Sequence, residues 1–277
     1  LLHLDKLTSQ KIIDDLDEKK WMVSDIKEKP YTQSPPPPFI TSTLQQAGIS
    51  KLKVSAQRIM SLAQSLYESG YITYMRTDSI NLSNEALSAS RNEIDSLFGK
   101  EYLPKQAISY KSKVKNAQEA HEAIRPAGAK FIHPNKLKSK LDEKEFKLYQ
   151  LIWSRTIASQ MKNAELLTTQ IQIHNGQYEF LAKGKTVVFD GFLKAYAEKS
   201  KGDTEKELPK FILNQNLDFK DIEIKEHITK PISRYTEASI VKELEALGIG
   251  RPSTYASIIA TILNRKYTTV ETIPEKQ

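Results

Sequence analysis

Apolar residues recur at helical spacing through the middle of this chain. Ile59, Leu62, Ala63, Leu66 and Tyr67 predict one helix, and Phe146, Tyr149, Ile152, Trp153 and Ile157 predict another. Ser83 reads as the cap of a third helix running from Asn84 towards Phe98 and stopped at Gly99. These stripes face a core and imply no cofactor. The pattern is helical from Thr41 to about Met161, except for Tyr71-Ile72-Thr73-Tyr74, a short apolar piece that reads as an extended strand.

After Met161 the period becomes two. Leu167, Thr169, Ile171 and Ile173 alternate with polar neighbours, Asn175-Gly176 is a hairpin signal, and Tyr178 and Phe180 continue on the return strand. Alternation recurs at Val187 and Phe189, and at Ile222 and Ile224, with a polar loop predicted over Lys199 to Glu207. Helical spacing returns at Ile240, Val241, Leu244 and Leu247, ending at Gly248. Pro252 then opens a further helix carrying Tyr255, Ile258, Ile259 and Ile262. The run Pro35-Pro36-Pro37-Pro38 forces an extended, semi-rigid crossing and reads as a domain boundary.

Composition narrows the class. Hydrophobic residues make up 39% and charged residues 27% of 277, as in a soluble globular protein. No apolar run approaches the ~18 residues of a membrane span, so the cytoplasm is the default location. Cysteine is absent, which excludes disulfides and cysteine zinc sites. The net charge of +7, from 41 basic and 34 acidic side chains, suits an anionic partner without deciding for one.

The candidate chemistry centres on Tyr74-Met75-Arg76. In an extended segment residues two apart share a face, so a phenol nucleophile and a guanidinium fork could address one phosphate together. A tyrosine ordinarily ionises near about pH 10, so a cation must favour its anion, and Arg76 is the candidate. The pattern alone also fits ordinary packing. Asp78 could position Arg76, lie near a metal, or cap a turn. His121-Glu122 looks like half a zinc helix, but Arg125 stands where the second histidine would be needed, so that reading fails. Arg125 could hold a nucleic-acid backbone or pair with Glu122. Gly248 to Ser257 places a glycine turn before a helix start, where Arg251, Ser253 and Thr254 could bind a phosphate or serve as caps. Thr41 to Gln46 could line a site or simply start a helix. His3, His133, His174 and His227 lack metal-site spacing. Asp14 to Glu18 lies on a charged helical face.

Gly70-Tyr71-Ile72-Thr73-Tyr74-Met75-Arg76-Thr77-Asp78-Ser79 resembles the active-site segment of type IA DNA topoisomerases, in the bacterial topoisomerase I branch. Three more stretches resemble the family in the same order: Pro38 to Gln46, Glu119 to Pro126, and Gly248 to Ile259. The resemblance implies an α+β, multi-domain, toroidal core. A helical domain at 35–161 would carry Tyr74, inserted in a β-rich arch of 1–34 and 162–230, and 231–277 would begin the domain that holds single-stranded DNA. It implies Tyr74 as nucleophile, linked to a 5′ phosphate, with Arg76 and His121 beside the scissile phosphate. Arg125, Arg251, Ser253 and Thr254 would contact DNA. The partners implied are single-stranded and negatively supercoiled DNA, met by a monomer near the bacterial nucleoid.

Relatives also carry an acidic magnesium-binding domain, whose motif has no counterpart here. The chain therefore reads as an internal fragment, inactive alone, with no metal ligands of its own and with Mg2+ bound mainly elsewhere. Two alternatives stay open, a non-catalytic single-stranded DNA-binding module and a decatenating topoisomerase III. Met75, where that second branch more often has proline, favours topoisomerase I.

Overall fold

The computed structural model describes residues 4–111, 121–196 and 208–271, which leaves the loop expected at Lys199–Glu207 outside the described residues. The chain forms two compact units. One comprises Leu1–Ser34, Asn163–Gly191 and Glu198–Ser233; the other comprises Pro35–Lys162, Phe192–Ala197 and Arg234–Gln277.

The first unit is a short helix, α1 (Lys6–Asp14), and an antiparallel sheet of β1 (Met22–Gln33), β2 (Ala164–Asn175) and β3 (Tyr178–Phe189), in that order. Asp5 caps α1 by accepting from the Thr8 amide at 2.7 Å. The Asn175-Gly176 signal closes the β2–β3 hairpin, with Gly176 at φ +59. Asn175 is buried because its amide is used twice: Oδ1 accepts from Asp17 N at 3.0 Å and Nδ2 donates to the Asp17 carbonyl at 2.7 Å. Trp21 stacks on Phe219 at 5.6 Å and leans on Phe180 at 5.0 Å. The alternation at Ile222 and Ile224 makes no strand, since no partner strand pairs there. Helix α1 ends at Asp14, so Asp17 and Glu18 lie beyond the helical face expected for them.

The second unit is helical: α2 (Thr41–Leu52), α3 (Ala56–Glu68), α4 (Asn84–Leu97), α5 (Glu143–Ala158), α6 (Glu237–Ala246) and α7 (Tyr255–Asn264). Helix α5 is its axis. Leu148, Tyr149, Ile152, Trp153 and Ile157 are buried there against α3 (Ile59, Leu62, Ala63, Leu66), α4 and α2. Burial pushes the Tyr149 hydroxyl well above its ordinary range, so it stays protonated and donates to Ile132 O at 2.6 Å. The proline run is fastened to α5: Arg155 Nε donates to Pro37 O at 2.7 Å, and its guanidinium lies 4.8 Å from the Phe39 ring centre.

Helices α6 and α7 dock on α2 and α3 through a small apolar cluster of Ala56, Val241, Tyr255 and Ile259. Two carboxylates complete this seam. Glu245 Oε1 accepts from the buried Ser42 hydroxyl at 2.5 Å, and Glu237 Oε2 accepts from Ala56 N at 2.7 Å, in the first turn of α3 where an anion is favoured. Helix α6 ends as the glycine predicts. Ile249 N donates to Leu244 O and Gly248 N to Glu245 O around Gly248 at φ +70, a Schellman cap.

Candidate functional site

Tyr74 is held by three neighbouring pieces of the second unit. The segment after His121 threads between the residues before α2 and those after α3. Ile124 N donates to Phe39 O at 2.8 Å, Thr73 N to Arg125 O at 2.9 Å, and Ala127 N to Tyr71 O at 2.9 Å. The strand expected at Tyr71–Tyr74 is reduced to one bridge, Ile72 to Pro126, followed by bends. A single rung is too short for a strand, yet the alternation survives it. Tyr74 (40% exposed) and Arg76 face solvent, while Met75 (4%) and Thr77 (2%) are buried.

Thr41, the first residue of α2, pins the buried half of this segment. Its hydroxyl donates to Met75 O at 2.8 Å and accepts from Thr77 N at 2.9 Å, and its own amide donates to Thr77 O at 2.9 Å. Thr41→Val keeps the shape and removes the hydroxyl, leaving the Thr77 amide buried and unpaired. We expect a loss of about 1–3 kcal/mol in urea unfolding, with Thr41→Ser close to the native chain.

The ring of Tyr74 lies between two others. Tyr67 meets it edge to face at 5.4 Å between centroids, and exposed His121 lies at 6.3 Å. Tyr74 and His121 thus lie side by side, both exposed, and Arg76 is exposed two residues beyond Tyr74. Helical spacing assigns Tyr67 to the core stripe of α3. Its ring instead emerges at the helix end, eight positions beyond Ile59, where the stripe has drifted off the buried face.

Arg125 is not among these exposed groups. It is buried, and its guanidinium donates to Glu122 Oε2 at 2.7 and 3.2 Å and to Pro126 O at 2.8 Å. Glu122 in turn accepts from Ser83 N at 2.7 Å, tying this loop to the start of α4. Burial pushes the Glu122 carboxyl up, but hydrogen bonds from Ser83 and Arg125, with the Arg125 charge, outweigh it and hold the group below its ordinary 4.5. A depressed carboxyl stabilises the fold fully above its unfolded value and loses that contribution as pH falls through the folded one. Unfolding titrations of the native chain and Glu122→Gln should therefore differ in slope only below about pH 4.5.

The Gly248–Ser257 motif follows α6, which packs on α2. Asp78, two residues past Arg76, is close enough that its charge acts on Tyr255. Burial, then the Glu245 and Asp78 carboxylates, push the Tyr255 hydroxyl up against the opposing charge of Arg251. Helix α7 begins at Tyr255, not at Pro252, because Arg251–Thr254 forms a turn first: Thr254 Oγ1 accepts from Arg251 N at 2.8 Å. Gly250, at φ +83, closes this turn. A Cβ there would meet Ile258 Cδ1 at 2.9 Å and Thr254 Oγ1 at 3.1 Å. Arg251 and Ser253 are exposed, Arg251 bonding back to Gly250 O at 2.7 Å.

Among the described residues no three histidine, aspartate or glutamate side chains converge as metal ligands, and no helix is long and apolar enough to cross a membrane.

Residues 3–277 match the family described as DNA topoisomerase. The chain is 48% identical over 279 residues to DNA topoisomerase 1 of Mycolicibacterium smegmatis, covering 96% of this chain and 30% of that protein. It is 49% identical to DNA topoisomerase 1 of Streptomyces coelicolor, covering 96% of this chain and 29% of that protein. The solved full-length topoisomerase I of Thermotoga maritima superposes with a TM-score of 0.79 at 38% identity, over 95% of this chain and 43% of that one. The chain thus spans about a third of the length of its curated relatives, 29–30% for these two. By the family match along almost its whole length, and by the α+β fold it shares with a solved relative, this chain belongs to the bacterial DNA topoisomerase I family, of type IA.

Proposed function

We propose that this chain carries the strand-breaking element of an enzyme that relaxes negatively supercoiled DNA without ATP. The Tyr74 oxygen attacks a backbone phosphate in line with the departing 3′ oxygen. A bond forms from that oxygen to phosphorus, the bond from phosphorus to the 3′ oxygen breaks, and the 3′ hydroxyl takes up a proton. The covalent 5′-phosphotyrosine keeps the bond energy, so the reverse attack reseals the strand after passage of the other. Arg76 neutralises the phosphate oxygens and His121 binds phosphate or relays the proton. The single supporting observation is the pattern at 74–77, where Tyr74 and Arg76 are displayed together while Met75 and Thr77 are anchored beneath them by Thr41.

Arg251, Ser253 and Thr254 are read as strand contacts, at the start of a single-stranded DNA-binding domain from residue 231. Residues 1–34 with 162–230 are read as an arch. Arg125, its donors engaged, holds the loop instead of touching DNA. Mg2+ is assigned to an acidic domain of the full-length protein, and this chain alone should not relax DNA. An enzyme acting on DNA is expected at the nucleoid, and we read it as a monomer.

The test is covalent trapping. The chain is grafted in place of the matching segment of the M. smegmatis relative and mixed with a single-stranded oligonucleotide in magnesium buffer, then denatured in SDS. A label at the 3′ end of the oligonucleotide should follow the protein, and a label at the 5′ end should be released. The opposite partition, or no adduct while binding persists, would make the assignment wrong; the second result leaves a DNA-holding module.

A further inference from the structure

Tyr67 has no role in the chemistry above, yet it lies beside the proposed nucleophile and is 42% exposed. We propose that Tyr67 is a stacking platform for one base of single-stranded DNA, next to the phosphate that Tyr74 attacks. The inference rests on the reading of Tyr74 as nucleophile.

Three observations carry it. First, the ring is oriented but not covered. Its contact with Tyr74, at 5.4 Å and 69°, is nearly perpendicular, so it engages at most one face of the Tyr67 ring. Second, the ring stands at the end of a row of exposed polar side chains on α3: Gln57, Ser61 and Gln64 precede it at intervals of three or four residues, on one side of the helix. Glu68, next to Tyr67 in sequence, accepts from Gln64 Nε2 at 2.8 Å, so Gln57 and Ser61 supply the uncharged groups of this lane. Third, Tyr67, Tyr74 and His121 form a row of rings spaced 5.4 and 6.3 Å apart. A base stacked on Tyr67 places its own phosphate near the neighbouring Tyr74.

The ligand class follows from the chemistry. An aromatic face binds any base, since every base has a π-face, but only where the base is unstacked. A duplex conceals those faces. The platform thus favours a single strand without reading its sequence, and such stacking contributes about 1–3 kcal/mol per base.

The test uses the grafted full-length protein in a Tyr74→Phe background, so that binding is read without cleavage. Its affinity for a fluorescent oligonucleotide is measured by anisotropy at fixed salt. Tyr67→Leu should weaken binding about 5- to 100-fold, and Tyr67→Phe, which keeps the ring, by no more than about twofold. An abasic position scanned along the strand should weaken the parent at one site, and at that site should add nothing to Tyr67→Leu. Unchanged affinity in Tyr67→Leu, or losses that add at every position, would overturn the proposal. A parent that binds no single strand would instead sink the reading of the Tyr74 segment itself.

Discussion

Tyr74→Phe is expected to remove the covalent adduct and DNA relaxation completely while leaving the fold as it is. The substitution deletes one oxygen, and among the described residues that oxygen holds no hydrogen bond. Its ring contacts with Tyr67 and His121 are kept by phenylalanine. Unfolding free energy should thus stay within about 0.5 kcal/mol of the native value, as for surface changes in general. Turnover should fall to background, on the order of 10⁶-fold where loss of a nucleophile costs what it does in well-studied hydrolases. Measured together in the grafted protein, stability and adduct yield separate chemistry from folding. Residual adduct in Tyr74→Phe would show that another residue attacks.

Arg125→Met should act in the opposite way, through the fold. The substitution leaves Glu122 charged, with its side chain only 31% exposed and its main partner gone, and leaves Pro126 O without its donor. Breaking a buried pair from one side commonly costs 3–5 kcal/mol, and the residual exposure of Glu122 argues for about 3 kcal/mol. The damage should reach Tyr74, because the Arg125 amide donates to Thr73 Oγ1 at 3.0 Å and its carbonyl accepts from Thr73 N. The double substitution Arg125→Met with Glu122→Gln should recover part of the loss, since no unpaired charge remains. A chain as stable as the native one after Arg125→Met would return Arg125 to the list of DNA contacts.

Elements whose signals are local were legible in the sequence. The β2–β3 hairpin combines alternation with a two-residue turn, and α3 and α5 carry long apolar stripes whose buried sides the structure repeats. What failed was short or depended on partners far away in sequence. Two isoleucines at 222 and 224 alternate but find no strand to pair with, and Tyr71–Tyr74 has one rung. Strand β1, with its Lys, Glu and Pro30, lacks the alternation that would single it out, and it persists as an edge because β2 supplies the ladder. In the site, Tyr74 and Arg76 were visible as a pair. The pairing of Arg125 with Glu122 was one of two readings open to the sequence; that Tyr74 meets His121, 47 positions on, depends on threading that no spacing reveals.

The seam between α6–α7 and α2–α3 has a further consequence. Apolar area attracts without regard to alignment, whereas a hydrogen bond is satisfied in one register only. This seam holds a four-residue apolar cluster and two carboxylate bonds, from Glu237 and Glu245, at opposite ends of α6. Ile49, Ile240, Leu244, Ala256 and Leu263 pack around that cluster, so the joint is glued by apolar area and dowelled by its carboxylate bonds. On closing it admits a single alignment, so the Arg251 turn returns to the same place relative to the Tyr74 segment.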